Sequence, residues 1–461
     1  MFEGLTVIRS RSRRHPGVAY THALLNGALQ SLADVLLQPA LLLAATIWLL
    51  NGSIDGIAIV AVAAAAPWAV CAILVPFLQL VAETIPAIAL ISGLVRAASA
   101  ALIAFLGWRA TSIDGADLVI LLTLAYIGYQ LSSAVSAQVS HGIIAGTTLS
   151  AERVRTLRDR RLAGAAMAVL GGLIAWRVFA ANAISLPRAA GWLLMLAGMA
   201  VVAATWFQLT SPGMFRPRRT FYPSFGGGTI AASLRTRPVR RYAIFRLLLG
   251  LSTLADPFII VYGLSAMNLH IRYIGGAILF HALAQVVGGV LWPMLLAARG
   301  SRRPIQIATL LRLAALALAV VVPQVATSQA YVNRFDTPTL ASWAFVATFA
   351  LLGLVRSAHD QTEQQYLADI VPEPSPHMAA IMGTNVLLLL TSGAALLGAF
   401  LIDRYSLDTT LTIAAVISFA ALLASGLLFE GNPRVVYRGD TRTTRPRQVK
   451  RLRRRTLARA R

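Results

Sequence analysis

Charge is scarce in this chain. Of its 461 residues only 13% are charged, where a soluble protein carries about a quarter. Lysine is almost missing, and Lys450 stands alone beside the arginines. The single cysteine, Cys71, lies in an apolar run, which excludes an intramolecular disulfide and a thiolate metal site. No P-loop is present, so an ATP-driven pump is not expected. "SFGGGT" (224–229) lacks the Lys-Ser/Thr ending and an adjacent strand, and reads as a flexible linker. There is no paired Asp-rich motif of a lipid-phosphate transferase and no credible catalytic triad. The chain is therefore expected not to be an enzyme and to need no cofactor and no metal. Residues 1–22 are polar and basic, and the first apolar run is too long for an h-region, so no cleavable signal peptide is expected.

Apolar length is what the chain has in excess. Hydrophobic residues make up 57% of it and its mean hydropathy is +0.69. Windows long enough to cross a bilayer as helices recur at 23–50, 56–80, 85–107, 117–141, 162–181, 189–210, 242–267, 273–298, 304–323, 341–368, 378–402 and 408–429. The expected fold is an all-α polytopic membrane protein of about twelve transmembrane helices. Its parts are a basic N-terminus (1–22), a first six-helix bundle (23–210), a basic linker (211–241), a second bundle (242–430) and an Arg-rich tail (431–461).

The net charge of +23 sits almost wholly on arginines in the termini and the even-numbered loops: Arg9 to Arg14, Arg153 to Arg161, Arg216 to Arg241, Arg299 to Arg303, and 442–461. The opposite side carries isolated arginines such as Arg109, Arg188, Arg272 and Arg334. The positive-inside rule then places both termini in the cytoplasm, in a plasma (inner) membrane. The tail suits anionic lipid headgroups. It has no stacking aromatics beyond Tyr437, so nucleic acid is not an expected partner.

The chain also repeats itself. "SLAD" (31–34) matches "TLAD" (253–256), pairing Asp34 with Asp256. "LVPFLQLVA" (74–82) matches "LWPMLLAAR" (291–299), and "LVRAAS" (94–99) matches "LLRLAA" (310–315), pairing Arg96 with Arg312. "AYIGY" (125–129) matches "ALLGL" (350–354), and "VLGGLIAWR" (169–177) matches "LLGAFLIDR" (396–404), pairing Gly171 with Gly398. Five matches in the same order, each in the corresponding span, indicate one duplication into two parallel six-helix repeats.

This arrangement resembles the major facilitator superfamily. "LLAARGSRRPIQI" (295–307) is similar to the loop that follows the family's eighth span, with Gly300, Arg302 and Arg303 in the expected places. The aspartate that usually precedes those arginines is absent. The equivalent loop of the first half, "QLVAETIPAIAL" (79–90), keeps only Glu83 of the pattern. The resemblance implies a cavity lined by spans 1, 4, 7 and 10, gated by rocking of the halves around a site near the bilayer midplane.

The residues of those spans fit that expectation. Asp34 and Asp256 fall roughly 15–20 Å into their spans, near mid-membrane, where an acid normally serves a partner or a pathway. Each has a proline close behind, Pro39 and Pro257. They suit a proton site or a counter-ion for a cationic substrate; the competing reading is a protonated acid or a helix clamp to Arg96, Arg312 or Arg246. Span 4 carries a polar stripe of Tyr126, Tyr129 or Gln130, Ser133, Ser136 or Ala137, and Ser140, open between cavity lining and helix packing. In span 10, Arg356, Asp360 and Glu363 share a face with His359 one turn from Glu363, and the four are expected to form an ion-pair network that serves as a gate, a proton relay or merely a helix clamp, with gate or relay favoured. His141 and His281 read as satisfied core residues. The function these features indicate is secondary active transport of a small organic solute, with proton coupling suggested by the buried acids. The rival is a transporter-fold protein without a transport cycle that handles lipid or scaffolds partners through its tail.

Overall fold

The computed structural model describes residues 16–80, 85–110, 112–147, 150–181, 186–211, 234–335, 339–371 and 374–430. Among these, twelve helices are long and apolar enough to cross a membrane. They are α1 (Gly17–Leu50), α2 (Ile54–Cys71), α3 (Leu90–Trp108), α4 (Gly115–Ala137), α5 (Arg155–Ala180), α6 (Arg188–Leu209), α7 (Arg237–Ala266), α8 (Arg272–Arg299), α9 (Arg302–Ala326), α10 (Thr339–Ile370), α11 (Gly383–Arg404) and α12 (Leu407–Gly426). The described residues contain no strand. The protein is thus an integral membrane protein of helical, polytopic architecture.

All twelve expected spans are present, but several helices run past their apolar windows. The arginine-rich stretch 152–161, expected as a loop, is helical: the helix bearing α5 starts at Ser150. The stretch has no proline or glycine before Gly164, and Arg, Leu, Ala and Glu are good helix formers, so nothing stops the helix at the end of its apolar part. The helices bearing α1 and α7 likewise begin at Pro16 and Arg237, each with proline at or next to the first position, where its missing N–H costs nothing.

α1 and α7 are both broken near their acids, but at different places: just after Asp34 in α1 and around Asp256 in α7. Gln38 is extended (φ −65°, ψ 122°) and Pro39–Leu43 winds as a π-helical turn before α1 resumes at Ala44. In α7, Ser252–Phe258 tightens to a 3-10 turn around Pro257. Proline lacks the amide proton and clashes with the preceding turn, so each break follows from sequence. The α1 break leaves the Leu37 carbonyl without its helical donor, because Leu41 N–H turns to Gln38 instead. Tyr126 of α4 supplies the missing donor at 2.9 Å.

Packing reproduces the duplication residue by residue. Gly171 of α5 lies against Leu32 and Leu36 of α1, and Gly398 of α11 lies against Leu254 and Phe258 of α7. The pairs Leu32/Leu254 and Leu36/Phe258 are themselves repeat equivalents. Between the halves, α5 meets α8 and α2 meets α11. Gly172 abuts the Leu279 backbone and Gly275 abuts Ala175 and Trp176, close approaches that small residues permit in lipid.

The seam is not filled evenly. Toward the side opposite the arginine-rich loops, Leu41, Leu42 and Leu43 of α1 and Ile259, Ile260 and Val261 of α7 are fully buried. Toward the arginine-rich side, Asp34, Arg356 and Asp360 are exposed although they lie deep within their helices.

A candidate solute cavity between the halves

The unfilled part of the seam is a cavity of about 720 Å3 bounded mainly by α1, α2, α7, α10 and α11, with Gln130 contributed by α4 and His281 by α8. A chamber of about 400 Å3 continues it between α1, α5, α8 and α10. Asp34, Gln38, Arg356 and Asp360 line both. The four spans expected at the cavity all reach it, joined by α2, α8, α9 (through Arg312) and α11, and α5 lines the chamber that continues it.

The two paired acids have different surroundings. Asp34 faces the cavity and accepts hydrogen bonds from Gln30 Nε2 at 2.8 Å and Tyr129 Oη at 3.1 Å. Among the described residues it has no cationic partner within 4.0 Å. Arg96, its expected partner, is buried and donates Nη1 to Gln30 Oε1 at 3.2 Å. The rest of that guanidinium is held by Thr205 at 2.8 and 3.0 Å and by Gln208 at 3.0 Å, both on α6. Asp256 is instead gripped directly: Arg312 donates Nη2 to Oδ1 at 2.8 Å and Nη1 to Oδ2 at 3.2 Å, and Nε to Ser252 Oγ at 2.7 Å. This bidentate fork clamps α7 to α9. Both carboxylates border the cavity, but of the two only Asp256 is held by a guanidinium.

The four groups of α10 do not form the single network expected of them. Glu363 pairs with Arg246 of α7 and with His359 Nδ1 at 3.2 Å. Arg246 reaches across from α7 and draws those two groups aside. Arg356 and Asp360 are left exposed to the cavity, and no ion pair within 4.0 Å among the described residues engages either of them.

The polar stripe of α4 divides too. Gln130 borders the cavity, donating to Tyr126 Oη at 2.6 Å and accepting from the exposed Trp68 indole at 2.8 Å. Tyr126 is fully buried and serves the break in α1. Ser133 is buried, its hydroxyl unpartnered, and the cavity does not reach it. Ser136 packs inward and donates to Gln208 at 2.5 Å. Cavity lining and helix packing therefore occupy different residues of one stripe.

His281 is a satisfied core histidine, as read, but it also joins the halves. Its Nδ1–H donates to the Phe349 carbonyl at 3.1 Å, leaving Nε2 to accept from Gln38 at 3.0 Å and Gln285 at 2.9 Å. In the loop between α8 and α9, Gly300 takes φ 71°, ψ −177°, a conformation that favours glycine. Arg302 donates to the Gly426 carbonyl at 2.6 Å at the end of α12, where a cation suits the helix dipole. Ser301 donates to Asp369 at 2.5 Å at the end of α10, while Arg303 is exposed. Glu83, the 224–229 segment and the Arg-rich tail lie outside the described residues, as do the side chains of Ser140 and His141.

Sequence reasoning passed over Gln30, Gln38 and Trp68. Gln30 had a signal: it lies one helical turn before Asp34 and stands where Ser252 stands in the second repeat.

Two six-helix repeats around a central cavity, with both first helices broken, define the major facilitator fold. The nucleoside transporter NupG is similar over 88% of this chain and 99% of its own, at TM-score 0.62 and 15% identity. The D-xylose-proton symporter matches over 90% of this chain and 98% of its own, at TM-score 0.61 and 13% identity. A bacterial homologue of the iron transporter ferroportin, 15% identical over 89% of this chain and 98% of its own, matches at TM-score 0.61 in its inward-facing state. In its outward-facing state the TM-score falls to 0.55. No family model matches the chain, and no curated protein does.

Proposed function

We propose that this protein is a secondary transporter that moves a small organic solute across the membrane by alternating access. The observation that carries this reading is the one-sided cavity: a mid-depth chamber with unpaired Asp34, Arg356 and Asp360 on its wall, open toward the arginine-rich side and packed shut on the other. Such a site at a repeat interface is what a rocking mechanism uses. The fold-level likeness to transporters of unrelated solutes supports it, and the better match to an inward-facing than an outward-facing neighbour agrees with the sealed side. A scaffold without a transport cycle would have no use for unpaired charges lining a solute-sized chamber.

In this reading the halves 23–210 and 242–430 are the moving bodies and 211–241 connects them. Both termini are cytoplasmic by the positive-inside rule, and the tail contacts anionic headgroups. Asp34 binds the coupling proton or a cationic group of the solute. Arg356 and Asp360 contact the solute, and the Arg246–Glu363–His359 cluster and the Gly300–Arg303 loop change partners as the halves rock.

Accessibility tests this without a known substrate. Ser31 borders the smaller chamber one turn before Asp34. In a Cys71→Ser background, Ser31→Cys is treated with an impermeant thiol reagent from each membrane face separately. Labelling from both faces, with the balance shifted by Asp34→Asn, is expected. Labelling from neither face refutes the transporter reading.

A further inference from the structure

The two repeats carry the same acid and the same arginine, yet only one pair closes. Asp34/Asp256 and Arg96/Arg312 are equivalent by sequence, and in each half the arginine approaches the acid's helix one turn before the acid. At that turn the repeats differ: Gln30 stands in the first half and Ser252 in the second. Ser252 is short. It accepts Arg312 Nε at 2.7 Å and leaves both terminal nitrogens to reach Asp256. Gln30 is two carbons longer and bifunctional. Its Oε1 takes Arg96 Nη1 at 3.2 Å, and its Nε2 donates to Asp34 at 2.8 Å and to Tyr129 at 3.1 Å.

We infer that Gln30 is the positioning residue that keeps Asp34 unpaired. It occupies the space where the guanidinium and carboxylate would otherwise meet and satisfies both with a neutral amide. Thr205 and Gln208 hold the far side of Arg96, so Nη1 is the nitrogen whose partner this position decides. One side chain in a duplicated motif thereby turns a helix clamp into an available carboxyl group. Glutamine suits the task because its amide offers one acceptor and two donors without adding charge. Serine cannot span the gap.

The inference concerns the state of Asp34 and rests on the proposed function only for what Asp34 then does. Its test reads the carboxyl groups directly, so failure here and failure of transport are distinguishable. Dicyclohexylcarbodiimide adds to a carboxyl group that is free to take up a proton, whereas a guanidinium forked onto both oxygens, as Arg312 is on Asp256, blocks that addition. Purified full-length protein is treated at neutral pH, and the adducts on Asp34 and Asp256 are counted in the same sample by peptide mass spectrometry. In the wild type Asp34 is expected to label several-fold more than Asp256. Gln30→Ser should bring Asp34 down to the Asp256 level by releasing Arg96 Nη1 to it. Ser252→Gln should raise Asp256 labelling several-fold while leaving Asp34 unchanged. Gln30→Glu, which adds charge beside Arg96, should not reproduce the Gln30→Ser result. General loosening of the fold would raise labelling at both acids together. Equal labelling of the two acids in the wild type, or Asp34 labelling unchanged by Gln30→Ser, overturns the inference.

Discussion

Arg312 is 4% exposed at its side chain and Asp256 25%, so each depends on the other's charge. Removing one member of a buried pair leaves the other uncompensated, at about 3–5 kcal/mol. Because Asp256 is partly wetted, Asp256→Ala is expected to cost about 2–4 kcal/mol, toward the low end of that scale. Asp34→Asn should cost about 1 kcal/mol or less, since the asparagine carbonyl still accepts from Gln30 or Tyr129 and no cation is stranded. Unfolding of the two variants in one detergent, followed by thermal denaturation, checks the ranking. Equal losses would mean that Asp34 is also clamped. At this scale the acids were legible in the sequence, because charge inside an apolar run needs no alignment to be noticed. Their pairing was not legible. It depends on whether a glutamine or a serine occupies the neighbouring turn, and on α6 residues more than a hundred positions away.

At the scale of the helices, twelve spans and the repeat could be read because bilayer thickness fixes helix length and duplication leaves prolines and glycines in register. The helical course of 152–161 escaped notice because arginines suggest a loop in a membrane protein, although they favour helix as peptides. The glycines make a testable element-level claim. A β-carbon on Gly275 would lie 2.6 Å from the Trp176 Cα, a backbone atom that cannot swing aside. Gly275→Val should therefore wedge α8 away from α5 on the sealed side. It is expected to raise labelling of Ser31→Cys from the face opposite the arginine-rich loops several-fold and to lower it from the arginine-rich face. An unchanged ratio would show that this contact does not hold the closed side. Gly276 is a matched control, because a β-carbon there comes no nearer than 3.3 Å, to the edge of the Trp343 ring.

At the scale of the whole molecule, the charge around the chamber balances even though the chain does not. Asp34, Asp256, Asp360 and Glu363 line the two chambers together with Arg161, Arg246, Arg312 and Arg356, four of each sign, with Arg161 standing at the arginine-rich mouth. A closed chamber of low dielectric penalises uncompensated charge heavily. A solute without net charge, or a zwitterion that spreads its ends between Asp34, Asp360 and Arg356, can be enclosed at least cost. An anion or cation needs a proton to move with or against it. Thermal stabilisation of the purified protein by a panel of solutes is the check, grouped as neutral, zwitterionic, anionic and cationic at equal concentration. Neutral or zwitterionic compounds should supply the hits, and Arg356→Gln should remove the zwitterionic ones while sparing the neutral. Hits confined to anions, insensitive to Arg356→Gln, would move recognition to the arginines at the mouth and away from the chamber.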